Sequence, residues 1–122
     1  MSDVKTTITE LRKLVKDFRD ARDWKQFHDP KNLAEALVIE AGELLEHFLW
    51  KDKSEVARKL KNDNAYREEV SDELADVFGY VINIAISADI DLSDALRVKY
   101  LKNGKKYPVK KAKGNRTKYT EL

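Results

Sequence analysis

"EAGELLEHFLW", Glu40 through Trp50, carries two carboxylates three residues apart beside an unbroken apolar series, and "ELADVFGY", Glu73 through Tyr80, repeats the arrangement with Glu73 and Asp76. At about 100° per residue the acids of each pair lie about 60° apart on a helix, so both share one face. Glu40 borders a stripe of Leu37, Ala41 and Leu44, and Glu73 adjoins Val70, Val77 and Ile84. Acids at the edges of two apolar seams converge when the two helices pack antiparallel, and carboxylates that close raise one another's pKa at a cost in stability. Divalent cations remove the conflict. Hard carboxylate oxygens suit Mg²⁺, with Mn²⁺ as the alternative, and Mg²⁺ commonly completes its shell with water and substrate phosphates. The spacing therefore implies a polyphosphate ligand.

Acids on amphipathic helices are more often solvated and paired with Lys or Arg three or four residues on. Here Leu44 and His47 stand four residues after Glu40 and Glu43, so that pairing is absent. A di-iron bundle also draws carboxylates from facing helices but needs Glu-x-x-His on two of them. No Glu-x-x-His occurs: His47 follows Glu43 by four, and His28 precedes the second helix. His47 reads as a surface group or one standing behind the ligands.

Outward from these motifs the chain reads as helix throughout. Ile8, Leu11, Val15 and Phe18 mark a first helix within residues 6–23; Asp29-Pro30 caps a second that runs to Trp50. Ser54 caps about two turns, a long helix follows from about Ala65 to Ala88, and a last one starts at Asp91 or Ser93 and ends at Asn103-Gly104. Four main helices with short connections predict an all-α fold resembling a four-helix bundle. Apolar residues at 42%, charged residues at 38%, four Gly and two Pro fit that class and exclude a disordered chain. At 122 residues one domain is expected, over residues 1–107, with a basic tail at 108–122. Leu45, Leu49, Phe78 and Ile82 widen the apolar faces beyond one stripe, which predicts a homo-oligomer, either a dimer or a tetramer.

The chain has no cysteine, so disulfides and thiolate metal sites are excluded. No apolar run approaches a membrane span and the N-terminus has no signal-peptide core, so no membrane partner and a cytoplasmic location are expected. The net charge of +2 conceals an acidic body and a basic end: from Tyr100 onward eight Lys or Arg face the single acid Glu121. A basic end attracts nucleic acid, but a Lys-rich terminus is more often a solvated extension, and nucleic acid is not the expected partner. A non-catalytic helical module acting through this tail is the competing function.

Lys99, Asn103 and Lys106 fall near i, i+4, i+7 spacing, one helical face that suits a triphosphate. Lysines near a helix C-terminus also complement its dipole, and spacing alone favours that plainer role. Trp24, Phe27, His28 and Trp50 are candidates for stacking on a base. For Trp24 and Phe27 core packing is the commoner role, whereas Trp50 ends a helix beside charged residues.

"FRDARDWKQFHDPKNLAEALVIEAGELLEHFLW", "EEVSDELADVFGY", "KYLKNGKKYPV" and the terminal "KYTEL" together resemble the MazG-type all-α nucleoside triphosphate pyrophosphatases, and within them the dCTP pyrophosphatase-like branch. The resemblance covers nearly the whole chain. It implies that Glu40, Glu43, Glu73 and Asp76 hold Mg²⁺ and hydrolyse a deoxynucleoside triphosphate between the α and β phosphates, giving the monophosphate and pyrophosphate. dCTP or a modified dCTP is the implied substrate. Displacement at phosphorus depends mainly on positioning and charge neutralisation, so these acids suffice, with Glu43 as the candidate base for water. The resemblance assigns Lys99, Asn103, Lys106 and Tyr107 to a phosphate-binding K-x-x-x-N-x-x-R-Y segment, Lys106 replacing the usual Arg and losing its fork. It also places the base between Trp24 and Trp50, lined by Lys25, Gln26, Phe27, His28 and Tyr80. At Val15 dCTP-preferring members carry histidine, so a polar contact is replaced by an apolar one.

Overall fold

The computed structural model describes residues 1–122. It is all helical: α1 Ile8–Ala21, α2 Pro30–Glu46, α3 Lys53–Asn62, α4 Asn64–Ala88, α5 Leu92–Lys106 and α6 Val109–Ala112, with 3-10 turns at Lys25–Phe27 and Tyr119–Glu121. Two compact units are distinguished, residues 1–89 and 90–122. In the first, α4 is the common partner of α1, α2 and α3.

Local chemistry accounts for the boundaries. Thr7 opens α1 with a reciprocal capping box, its hydroxyl accepting from Glu10 N while Glu10 accepts from Thr7 N. Asp29 caps α2 by accepting from Asn32 N at 2.9 Å, with Pro30 in the first turn where its missing N–H costs nothing. Asp52, Asp63 and Asp91 cap α3, α4 and α5 in the same way. Asp52 therefore takes the place expected for Ser54, and α3 is a full ten-residue helix rather than two turns.

Two other expectations change. The second helix stops at Glu46, and residues 47–50 form turns that end on Trp50 in the left-handed region, φ 61°. The helix ends in a tightened last turn, with Phe48 N and Leu49 N both donating to Leu45 O; Phe48 is half-buried there and Leu49 exposed. The last long helix runs through Asn103-Gly104 to Lys106, since the next residues, Tyr107-Pro108, supply the stronger stop.

The core of the first unit is small. Leu33 on α2 and Tyr66, Val70, Ile82 and Ala85 on α4 are its buried apolar residues, and Leu33 and Ile82 are each only 2% exposed. α2 and α4 run antiparallel, because His47 lies beside Tyr66 and Glu69 while Glu40 lies beside Glu73 and Asp76. Tyr66 pins the far end of this seam, its hydroxyl donating to His47 O at 2.7 Å. No helix is long and apolar enough to cross a membrane. Leu33→Ala is expected to lower the unfolding free energy by about 2–5 kcal/mol. Urea titration followed by circular dichroism measures this.

Candidate active site

Antiparallel packing of α2 on α4 sets Glu40 opposite Glu73 and Asp76, and one carboxylate oxygen from each of the three lies within 4.8 Å of the others. Glu40 and Glu73 are half-buried, and Asp76 is exposed. Glu40 Oε2 and Glu73 Oε2 are screened from solvent and have no hydrogen-bond partner. Buried polar atoms are rarely left unmatched, so two orphaned carboxylate oxygens facing a third acid describe a site that fits a cation. The donors are all carboxylate oxygens, which suits a hard divalent ion.

Electrostatics agrees with the geometry. The Glu40 carboxyl is pushed from its ordinary 4.5 up to about 7, first by burial, then by a hydrogen bond and repulsion from Glu43, then by the charges of Asp76 and Glu73. Glu43, one turn along α2, thus touches Glu40 but lies outside the three-acid set. His47 stands behind Glu73, its Nε2 3.8 Å from Glu73 Oε1 and its Nδ1 3.8 Å from Glu69 Oε2.

Beside the acids opens a cleft of about 370 Å³ between α1 and α4. From α4, Asp76, Gly79, Tyr80 and Asn83 line it at i, i+3, i+4 and i+7. A methyl group at Gly79 would meet nothing within 4 Å, so this wall is open space. Tyr80 joins the cleft to the acids: burial first, then the charges of Glu40 and Asp76, raise its phenol pKa and keep the hydroxyl a proton donor. Opposite stand Leu14, Val15, Phe18 and Arg19 of α1, with Trp24 and His28 closing the end.

Trp24 reaches the cleft through a specific turn. After α1, Asp23 adopts φ 54°, Asp23 N donates to Asp20 O and Trp24 N donates back to Arg19 O, the paired bonds of a Schellman ending. The chain reverses and brings the Trp24 ring edge-on to Phe18 at 5.9 Å between centroids. Arg22 also lies over the Phe18 ring, its guanidinium carbon 3.6 Å from the centroid.

Among the residues singled out in the sequence, Glu40, Glu73 and Asp76 come together, and Trp24, His28 and Tyr80 line the adjoining cleft. Lys25 and Gln26 line a second hollow that shares Arg19 and His28 with the first. Phe27 and Trp50 line neither, and Trp50 is 93% exposed. Lys99, Asn103 and Lys106 lie on α5 and Tyr107 caps its end; there Lys106 Nζ sits 4.7 Å over the Tyr119 ring, which also meets Tyr107 edge-on. Arg19, Gly79 and Asn83 are cleft residues that the sequence reading passed over. A cation at position 19, in register with Leu11 and Val15, was the available signal.

Residues 36–122 match the MazG-like family. The chain is 38% identical to dCTP pyrophosphatase 1 of Bos taurus over 116 residues, which cover 95% of this chain and 68% of that protein. The human dCTP pyrophosphatase 1 is 39% identical over the same coverage. The crystal structure of a pyrophosphatase from Archaeoglobus fulgidus superposes with a TM-score of 0.77 at 36% identity, covering 88% of this chain and 98% of that one.

Because the folded protein holds the Glu40 proton more tightly than the unfolded chain, it binds more protons between pH 4.5 and about 7. Stability of the metal-free protein therefore falls as pH rises through that window. Melting temperatures in chelator between pH 5 and 8 should decline, and Glu40→Gln, which cannot ionise, should flatten the decline.

Proposed function

The chain belongs to the MazG-like family, and from that premise we propose that it is a nucleoside triphosphate pyrophosphohydrolase acting on dCTP or a modified dCTP with Mg²⁺. The observation that carries this reading is the convergence of Glu40, Glu73 and Asp76, with two orphaned oxygens, at the mouth of an apolar cleft of base size. The identity to dCTP pyrophosphatases supports the choice of cytosine. Val15 lines the cleft, so the departure from the branch's histidine falls where it bears on base preference.

The residues divide the work. Glu40, Glu73 and Asp76 would hold the ions, which neutralise phosphate charge and activate water when bound. Glu43 sits against Glu40 and orients or deprotonates the water. The Tyr80 hydroxyl, kept protonated, donates a hydrogen bond where the acids meet the cleft. Trp24 and Phe18 offer ring surface to the base and exclude water from it. The phosphate role of Lys99, Asn103, Lys106 and Tyr107 belongs to the same proposal, and Lys99→Ala should raise KM more than it lowers kcat.

Purified protein with Mg²⁺ should release pyrophosphate and dCMP from dCTP. Chelator should abolish turnover, and Glu73→Ala should reduce kcat by about a hundredfold or more, as loss of a preorganised charge-stabilising group does. Release of inorganic phosphate in place of pyrophosphate, or full activity in Glu73→Ala, would refute the proposal.

A second copy of the chain is part of the proposal. Val38, Ile39 and Leu45 on α2 and Leu74 and Phe78 on α4 are all exposed, more apolar surface than these two helices need for their own packing. Light scattering is expected to give a dimer or tetramer. Leu45→Lys combined with Phe78→Lys should lower the mass toward 14.1 kDa.

A further inference from the structure

All four buried side-chain polar atoms without a partner belong to one region. Glu40 Oε2 and Glu73 Oε2 lie at the acids; His28 Nδ1 and Asn83 Oδ1 lie on residues that line the cleft. The first two are answered by a cation. The second pair is not, and a third anomaly accompanies them: Arg19, a cation only 5% exposed, continues the apolar stripe of α1 into the same cleft.

Local bonding explains part of each residue and leaves a remainder. Asn83 Nδ2 donates to Gly79 O at 3.1 Å, one turn back on α4, which fixes the amide so that the nitrogen and not the oxygen faces the backbone. The leftover is an acceptor. Arg19 Nε donates to Asp20 Oδ1 at 2.8 Å, and Nη2 lies at the same distance from that oxygen as an ion pair. The guanidinium as a whole can only donate. The cleft thus holds one unmatched acceptor and one donor-only group on facing helices, α4 and α1.

Asn83 stands two turns beyond Asp76 on α4, about 10 Å along the axis at 1.5 Å per residue. With the triphosphate at the acids, that end receives the edge of the base farthest from the sugar. On a pyrimidine the farthest group is the 4-substituent, followed by N3 and the 2-carbonyl. An amine at position 4 satisfies the Asn83 acceptor. A carbonyl there would oppose two acceptors.

We propose that Asn83 and Arg19 read the base: Asn83 Oδ1 accepts from the 4-amino group of a cytosine-type base, and the Arg19 guanidinium donates to its N3 or 2-carbonyl. The assignment rests on the pyrophosphohydrolase reading above. It also accounts for a polar edge in a cleft whose α1 wall is otherwise apolar. A buried group built for a hydrogen bond discriminates because a substrate lacking the partner leaves it unpaired.

Three substrates separate the contacts: dCTP, dUTP, and the 2-pyrimidinone deoxynucleoside triphosphate, which keeps N3 and the 2-carbonyl but has hydrogen at position 4. The wild type should favour dCTP over the pyrimidinone by about tenfold or more in kcat/KM, the equivalent of one hydrogen bond. Asn83→Ala should bring that ratio near one while kcat/KM for the pyrimidinone holds within about threefold. Asn83→Asp, which keeps an acceptor, should preserve the preference. Arg19→Met should raise KM for dCTP and the pyrimidinone alike, with Arg19→Lys restoring part of the loss. Equilibrium binding of the product dCMP against dUMP gives the same comparison without turnover, so a slow variant still reports. A general loss of folding would lower all substrates equally and leave the ratios in place. Active wild type with ratios unmoved by Asn83→Ala overturns this assignment alone, whereas a wild type that releases no pyrophosphate from any of the three overturns the function beneath it as well.

Discussion

Repulsion among Glu40, Glu73 and Asp76 is the constraint around which the first unit is arranged. Helix spacing puts Glu73 and Asp76 on one face of α4, but nothing local brings Glu40 to them; the packing of α2 on α4, which buries Leu33 on one helix and Val70, Ile82 and Ala85 on the other, does. Hydrophobic packing thus imposes a like-charge contact that each helix alone would avoid. The Glu40 carboxyl is raised by burial first, then by Glu43 on its own helix, and the charges of Asp76 and Glu73 across the seam add to it. A cation converts the same contact into a favourable one, so the feature that weakens the empty fold is the one that prepares it for catalysis.

α4 then acts as the axis of the site. Reading along it, acids come first at Glu73 and Asp76, then the open wall at Gly79 with the Tyr80 hydroxyl, then the amide of Asn83. A nucleotide has the same order of chemistry, from phosphate through sugar to base. α1 closes the other side, and its Schellman ending at Asp23 decides where Trp24 falls. Aspartate tolerates the left-handed conformation better than most side chains, which is why a glycine is not required there.

How much of this was legible depended on whether the signal was local. The helices of the first unit, the cap at Asp29, and the face shared by Glu73 and Asp76 follow from spacing over one or two turns. Glu43 shares the face of Glu40 equally well in sequence, yet it falls outside the three-acid set, because the distance to α4 is a tertiary quantity. The helix end expected at Trp50 was missed for a different reason. The apolar neighbours of Trp50 continue the stripe, but hydrogen bonds tighten at Leu45 and the chain leaves the helix before reaching it. Phe18 marked the stripe of the first helix without showing that it lines a cleft, because a cleft wall and a core wall have the same periodicity. Arg19 and Asn83 escaped notice because a single polar residue on a helix face is ordinary until the facing helix is known to bury it.

That last pair shows how a ligand site can be separated from a packing defect. An unmatched buried polar atom costs about 1–3 kcal/mol, a large fraction of a small domain's stability. Scattered orphans would mark poor packing. Here two lie on residues that line one cleft, the other two belong to acids grouped with Asp76, which lines that cleft, and the only buried charged residue lines it too. Costs concentrated in one place are recovered together when one molecule supplies the missing partners. A ligand that answered only the acids would leave Asn83 and His28 unmatched, and one that answered only the amide end would leave the carboxylates in conflict. The molecule that fits is therefore one carrying metal-bound charge at one end and a hydrogen-bonding ring at the other.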